Sequence, residues 1–371
     1  MRGRTDSQSP MFLMINLEQK VPLDHPLRAI KRRADAILRD MRQDFDAAYS
    51  RTGRPGVPPE QLLKAMLLQA LYSIRSEIQL MQAVDFNLLY RWFLDLGDRP
   101  AWTPEVFSMN RERFADHDLV RKFFDRIVHE AVVEGYASTD HFTVDGTLIR
   151  SWASLKSLRP RDGAEPTHKE EDSGNPTVDF RGQKRTNETH CSATDPEARL
   201  MRKGKGQPAY LCHSGHVLME NRSGLCMAVA VDQADVKAER RSAGSLIKHL
   251  RGRHRIQVKT LGMDKGYDDG AFLAELEGLH VKAHLPVPSV KSRSQEAPAR
   301  ARRRAHRRMK TKGYEASQRI RKRVEEIFGW LKSVAGMARS RLVGRWKIMQ
   351  EMLISGAAYN LLRMARLEAA R

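Results

Sequence analysis

The sequence predicts a mixed α/β core preceded by an all-helical N-terminal region. Residues 1–135 repeat apolar side chains at helical spacing, whereas strand-like apolar runs first occur at residue 141 and then alternate with helical segments. The chain of 371 residues is long enough for two or three domains and a packed core. We therefore expect a helical domain over residues 1–135 and an α/β domain over residues 136–371.

Within the first region, turn signals rich in Gly and Pro separate the helical segments. The predicted helices cover residues 26–49, 59–72, 76–84 and 86–96. The short break at residues 73–75 lies between two of them and resembles a helix-turn-helix, which would place one helix in a DNA major groove. An ordinary helical hairpin explains the same pattern and is the favoured interpretation of this stretch alone.

The second region begins with the β-rich run at residues 141–149, in which Phe, Thr, Val and Ile cluster. Further apolar runs at 210–212, 216–219, 225–231, 257–263 and 280–284 predict strands, and the stretches 236–250 and 270–277 predict helices. Residues 156–208 contain few large apolar side chains and many charges. They predict a long polar insertion, partly disordered in the absence of a partner.

The most informative bulk property is charge. Lys and Arg number 65 against 45 acidic residues, which gives a net charge of +20 and a pI near 10.1. Such an excess favours a polyanionic partner, because neutralising phosphates releases counterions. Residues 291–323 hold 14 Lys or Arg against two acids. This basic segment fits either a solvated flexible stretch or contact with a DNA backbone, and the second is favoured here.

The three cysteines, Cys191, Cys212 and Cys226, are too few for a disulfide framework. They form no Cys-x2-Cys pair with one another, which disfavours a zinc site among them and the neighbouring histidines. No stretch reaches the roughly 18 uninterrupted apolar residues of a membrane span. We expect a cytoplasmic protein in reducing conditions, with no membrane partner.

Two aspartates occupy positions in predicted strands where a carboxylate needs a cation. Asp145 lies inside the run 141–149, and Asp264 directly follows the strand at 257–263. A carboxylate in an apolar strand is costly unless a cation meets it, and Mg²⁺ prefers carboxylate and phosphate oxygens. Strand ends in α/β sheets are also where catalytic groups gather. The pair indicates a Mg²⁺ site, although each aspartate alone also suits a turn or helix cap.

A third carboxylate lies in a predicted amphipathic helix over residues 318–332. Apolar residues recur there at i, i+3, i+4 and i+7, so one face is buried. At about 100° per residue, Arg321, Glu325 and Lys332 lie in a narrow arc beside that face. Arg321 and Glu325 also suit an ordinary exposed i,i+4 ion pair. The spacing does not separate Glu325 from Glu326.

Together these motifs resemble the DDE-type transposases of bacterial insertion sequences, in particular the InsH-like group, over almost the whole chain. Residues 142–147 are similar to the motif of that family's first catalytic Asp, and residues 263–267 to the motif of the second. The stretches 53–64 and 88–93 resemble the family's helical N-terminal domain.

The family's C-terminal signature is Tyr-x2-Arg-x3-Glu-x6-Lys. Arg321, Glu325 and Lys332 meet its spacing, so the resemblance selects Glu325 over Glu326 as the third carboxylate. Gln318 occupies the Tyr position. This departure bears on one peripheral DNA contact and not on the metal site.

The resemblance implies a ribonuclease-H-like catalytic core, a mixed sheet flanked by helices, in which Asp145, Asp264 and Glu325 hold two Mg²⁺ ions that Mn²⁺ can replace. The implied reaction is hydrolysis at the element's end, followed by attack of the freed 3′ hydroxyl on target DNA. The implied partners are double-stranded DNA, both as terminal inverted repeats and as target, and a second copy of the chain in a homodimer or larger assembly. The cations expected at DNA are Arg319, Arg321, Lys322, Arg323 and Lys332.

Two other functions fit the same residues. One is a ribonuclease-H-like nuclease that cuts DNA without joining it, and the other is a DNA-binding protein without catalysis. The presence of all three acids with Arg321 and Lys332 argues against lost catalysis. Trp152 and Trp330 lie close in sequence to the acids and could stack on bases, but core packing is the favoured role for both.

Overall fold

The computed structural model describes residues 14–50, 52, 56–161, 179–180, 183–204, 206–290 and 292–370. The helices are α1 (Leu17–Lys20), α2 (Pro26–Asp40), α3 (Arg42–Ala48), α4 (Pro59–Leu71), α5 (Glu77–Phe86), α6 (Leu88–Phe93), α7 (Pro104–Asp116), α8 (Leu119–Val133), α9 (Ala238–His254), α10 (Gly270–Gly278), α11 (Ala297–Arg308), α12 (Lys312–Arg321), α13 (Val324–Ser333) and α14 (Arg345–Ala369). The strands are β1 (His141–Arg150), β2 (Leu158–Pro160), β3 (Asp179–Phe180), β4 (Gln183–Lys184), β5 (His190–Ser192), β6 (Arg199–Met201), β7 (Tyr210–Glu220), β8 (Leu225–Gln233), β9 (Thr260–Gly262) and β10 (Lys282–His284).

Helices α1 to α8 precede the sheet, and the prediction of a helical region followed by a mixed α/β region is confirmed. Helix α2 begins with Pro26 in its first turn, where a missing N–H costs nothing, and His25 Nδ1 accepts the N–H of Leu27. The predicted single helix over 26–49 is wrong, because the chain breaks at Met41 into α2 and α3. Ser76 caps α5, so α4 and α5 form two helices around a short break.

The main sheet has β1 at its centre. Strand β1 pairs antiparallel with β7 and parallel with β9, and β9 pairs parallel with β10. The far side of β7 pairs with β8 along most of its length and with β6 near its start. The turn between β7 and β8 ends in Gly224, whose φ of +71° is the left-handed conformation that glycine adopts readily.

The C-terminal helix α14 connects the two regions. It packs on β8 and on α2, α4 and α8, so one apolar core extends through both. Its buried Asn360 accepts the N–H of Cys226 and donates to the carbonyl of the same residue, which attaches the helix to β8. Arg33 on α2 ion-pairs with Glu368 on α14 at 3.0 Å. Because both regions share this helix, their relative position is set by packing.

One predicted helix differs from the structure, and two further predicted segments contain ordered elements. The single helix over residues 318–332 is wrong, because a turn at 322–323 separates α12 from α13. The basic segment 291–323 contains α11 and α12, and its contact with a DNA backbone stays a prediction. In the described part of the polar insertion 156–208, β2 pairs with β5 and β6 joins the main sheet, and its partial disorder stays a prediction. Residues 162–178 of that insertion lie outside the described residues, as do 53–55 of the N-terminal motif.

No helix in the described part of the chain combines the length and apolar character needed to span a lipid bilayer.

Candidate active site

The register of two parallel strands brings Asp145 and Asp264 together. Thr143 of β1 pairs with Gly262, the last residue of β9. Asp145 and Asp264 each lie two residues beyond this pair, and neighbouring strands are about 4.8 Å apart. β9 ends early, so Asp264 starts a 3₁₀ turn, where its Oδ1 accepts the N–H of Gly266 at 2.8 Å. Because β9 ends at Gly262, Asp264 lies just outside the strand, beside Asp145 of β1.

Helix α13 brings a third carboxylate to this point. The helix packs on β1, and Glu325 is exposed in its first turn. Burial raises the pKa of Asp145 to about 6, and the negative charges of Asp264 and Glu325 act in the same direction. The bond from the N–H of Gly146 and the charge of Arg321 oppose this rise. Asp145 thus lies near enough to Asp264 and to Glu325 to interact with both negative charges.

The neighbouring Glu326 faces another part of the molecule. Burial raises the pKa of Tyr359 to about 12, and the charge of Glu326 contributes to that rise. Tyr359 belongs to α14. The charges of the two adjacent glutamates therefore affect different residues. Glu326 affects Tyr359, and Glu325 affects Asp145. The helical arc considered from sequence could not make this distinction.

A fourth carboxylate, Glu239 in the first turn of α9, lies at the same site and was missed by the sequence analysis. A Cβ built on Gly266 would lie 3.1 Å from Asp264 Oδ1 and 3.2 Å from Glu239 Oε2, so both carboxylates approach this glycine. Burial raises the pKa of Glu239, and the charges of Asp264 and Asp145 raise it further. In sequence, Glu239 is an ordinary acid in a polar helix start, and no motif distinguishes it.

A glycine and two uncharged side chains lie beside the acids. A Cβ built on Gly146 would come within 3.0 Å of His216 Nδ1, so glycine permits this close approach. Burial lowers the pKa of His216 to about 4, which leaves a neutral imidazole at neutral pH. Tyr267 is fully buried, and burial followed by the charges of Glu239 and Asp145 raises the pKa of its hydroxyl. Neither group offers positive charge to the acids.

Arg321 is a cation at the site. Its Nη1 lies 3.6 Å from Asp145 Oδ2, although Arg321 ends α12 and does not share a helix with Glu325. Gln318, in the Tyr position of the family signature, donates its Nε2 to the carbonyls of His284 at 2.8 Å and Met263 at 3.3 Å. This residue therefore attaches α12 to the strand ends beside the acids.

The other predicted DNA-contacting cations lie in several places. Arg319, in α12, and Lys322, directly after it, are exposed. Arg323 Nη1 donates to the carbonyls of Asn221 at 2.8 Å and Arg222 at 3.1 Å, so it holds the turn between β7 and β8.

Lys332, at the other end of α13, neighbours a second group of cations. Burial lowers the pKa of Lys332, and the positive charges of Lys203 and Arg150 lower it further. Arg150 ends β1 and stacks on Tyr210, with its guanidinium carbon 3.8 Å from the ring centroid. Arg150, Lys203 and Lys332 thus form a positively charged strip near the end of β1.

Trp152 was predicted to pack in the core, and this is wrong, because 46% of its surface is exposed. The guanidinium carbons of Arg339 and Arg341 lie 4.5 Å and 5.5 Å from its ring centroid. The tryptophan borders a cavity of about 390 Å³ that Arg75 and Arg111 of the helical region also line. A cationic, aromatic surface thus joins the helical region to the sheet near the end of β1.

The donor set fits a divalent cation. The charges of Asp264 and Glu325 act on Asp145, those of Asp264 and Asp145 act on Glu239, and the raised pKa values of Asp145 and Glu239 reflect burial and negative charge that Arg321 only partly balances. Hard cations such as Mg²⁺ take oxygen ligands of this kind.

Comparisons with known proteins agree with this class of site. Residues 181–361 match the family model described as "Transposase DDE domain", and residues 15–113 match the one described as "Transposase domain (DUF772)". Together the two models cover about three quarters of the chain and assign it to the DDE-type transposases. The DDE match includes Asp264 and Glu325 and begins after Asp145.

No protein of curated function matches the chain. A solved structure, "Mos1 transposase paired-end complex with left transposon end", is 12% identical over 76% of this chain and 84% of that chain, with a TM-score of 0.21. A structural similarity this low carries no argument about the fold.

Proposed function

We propose that this chain is the DNA transposase of an insertion sequence of the InsH-like group, which cuts the element's ends and joins them to target DNA. The observation that carries the proposal is that Asp145, on β1, interacts electrostatically with Asp264 at the end of β9 and with Glu325 of α13, while Arg321 lies 3.6 Å from its carboxylate. Three distant stretches of sequence have no packing reason to concentrate negative charge at one place. Binding of divalent cations supplies such a reason.

A ribonuclease-H-like core is part of this proposal. Such a core is expected to have a mixed sheet that carries both Asp residues and a helix that brings the Glu. The antiparallel strands β1, β7 and β8, extended by the parallel strands β9 and β10, support it. We further propose that residues 136–371 are the catalytic domain and that residues 1–135 bind DNA and contribute to dimerisation, because two element ends must be joined in one event.

The carboxylates of Asp145, Asp264 and Glu325 would hold two Mg²⁺ ions, with Mn²⁺ as a substitute. When bound, these ions lower the pKa of the attacking water or 3′ hydroxyl and offset the charge that develops on the leaving oxygen. The chain's own residues orient the substrate. Arg321 would leave Asp145 for a DNA phosphate once cations neutralise the acids, since its 3.6 Å contact is longer than a hydrogen bond.

The double-stranded DNA would extend from the acids over the positively charged strip towards Trp152. Arg319, Lys322 and Lys332 would contact its phosphates, whereas Arg323 would act indirectly through the turn that it holds. The exposed face of Trp152 suits contact with a sugar or an unpaired base. This arrangement supports sequence-independent backbone contact near the acids and leaves base recognition to other elements.

Glu239→Gln is expected to weaken Mg²⁺ binding, so that the Mg²⁺ concentration for half-maximal cleavage rises by about ten-fold or more. The reason is that the variant removes one of the negative charges that face Asp264. Titration of DNA cleavage with Mg²⁺ measures this shift. Glu275→Gln is the control, because Glu275 pairs with Lys248 at the surface of α10. An unchanged Mg²⁺ requirement in Glu239→Gln would remove Glu239 from the site.

The function is tested with labelled DNA that carries the sequences flanking this gene, incubated with Mg²⁺ or with EDTA. We expect metal-dependent nicking at the element's end followed by joined products. Cutting without joined products would favour a nuclease. Binding without any cutting, in Mg²⁺ or Mn²⁺, would favour a DNA-binding protein without catalysis.

A further inference from the structure

A second group of metal-ligand side chains lies at the contact between α8 and α9. Asp125 of α8 faces His249 and His254 of α9, and the candidate ligand atoms of all three lie within 4.8 Å of one another. Nε2 of His249 lies 3.2 Å from Asp125 Oδ1, and Nε2 of His254 lies 3.5 Å from the same oxygen. Neither catalysis nor DNA contact, as proposed above, uses these residues.

The separations match those between ligands of one small ion. The bonds of about 2.0–2.1 Å in a tetrahedral zinc site place its ligand atoms about 3.3 Å apart. The two distances to Asp125 Oδ1, 3.2 and 3.5 Å, already bracket this value. Two imidazoles and one carboxylate suit Zn²⁺ better than Mg²⁺, which prefers oxygen ligands.

The surroundings favour a cation over a simple carboxylate–histidine contact. The His254 side chain is 3% exposed, and its Nε2 has no hydrogen-bond partner among the described residues. Arg253 Nε lies 3.2 Å from Asp125 Oδ2, which leaves Oδ1 to the two imidazoles. His254 also ends α9, where the unpaired carbonyls of the helix attract positive charge.

We propose that Asp125, His249 and His254 bind one Zn²⁺ ion that joins α8 to α9. The His249 side chain, 29% exposed, leaves an open side where water completes the tetrahedron. Glu239 begins the same helix, 15 residues or about 22 Å away, so this site is separate from the four acids. The ion would hold the catalytic region's α9 against the last helix of the N-terminal region. Zinc binding here does not depend on the transposase function.

The test uses the full-length chain without a histidine tag, dialysed against Zn²⁺ in a large excess of Mg²⁺, with bound zinc measured by mass spectrometry. We expect one zinc per chain in the wild type and in Asp264→Asn, and none in His254→Ala or His249→Gln. His129→Ala, an exposed histidine of α8, is the control and should retain one zinc. Equal zinc content in His254→Ala and the wild type would overturn the proposal.

A measurement on the wild type alone guards against variants that fail to fold. Co²⁺ in place of Zn²⁺ should give the visible absorption of a tetrahedral ion, and Zn²⁺ should raise the melting temperature, because ligands that bind only the folded state stabilise it. A cobalt spectrum of octahedral type, or a melting temperature that Zn²⁺ and chelator leave unchanged, would also overturn the proposal.

Discussion

Asp264→Asn and Asp145→Asn are each expected to reduce DNA cleavage by about 10³-fold or more while leaving DNA binding largely intact, because each removes a proposed ligand of the metal ions that would offset transition-state charge. In Asp264→Asn the side-chain amide oxygen can still accept the N–H of Gly266, so the 3₁₀ turn should be preserved. Cleavage of labelled element-end DNA measures the loss, and gel-shift binding measures the affinity.

A matched control comes from the residue that directly precedes β1. Asp140 is exposed and pairs with Lys259 at 2.7 Å, so Asp140→Asn should cleave DNA like the wild type. Cleavage by Asp264→Asn within ten-fold of the wild type would contradict the proposed chemistry.

The variant Asp145→Asn should also stabilise the metal-free fold. The folded-state pKa of Asp145 is about 6, above its ordinary value of 3.8, so the ionised carboxylate disfavours folding at neutral pH, and this effect disappears as the pH falls below about 4. About two pKa units correspond to roughly 3 kcal/mol, an upper limit for the gain in unfolding free energy of Asp145→Asn at pH 7.5 in EDTA. Urea unfolding measures it. A less stable variant would mean that the contact of Asp145 with Arg321 outweighs burial and repulsion.

The second large effect is expected from a pair of adjacent residues. Glu325→Gln should lower cleavage by at least about 10²-fold, because the variant removes the carboxylate whose charge acts on Asp145. Glu326→Gln should retain near-wild-type cleavage, because the charge of Glu326 acts on Tyr359 of α14. Both glutamates are exposed in the first turn of α13, so the two substitutions should affect the stability of this helix equally.

Single-turnover cleavage at saturating Mg²⁺ compares the two variants without a contribution from binding or product release. Loss of cleavage in Glu326→Gln with full activity in Glu325→Gln would show that the third carboxylate is Glu326 and not Glu325.

Local patterns were sufficient to predict much of this protein. The apolar run at 141–149 and the strand before Asp264 predicted one acid within a strand and one directly after a strand. Such a prediction needs only the pattern of apolar and β-branched residues over a few neighbouring positions. The net charge of +20 indicated a polyanionic partner. The family signature selected Glu325 in sequence, and periodicity alone could not.

Only tertiary structure decided how distant segments meet. Glu239 lies in an ordinary helix start and becomes part of the acidic site because α9 packs against β7 and β8 with its first turn beside Gly266. Trp152 is exposed although its type favours burial, and Arg339 and Arg341, far away in sequence, border its ring. The break between α12 and α13 likewise lies inside a helical pattern. Each outcome depends on contacts between residues far apart in sequence, and such contacts leave no periodic pattern in the chain.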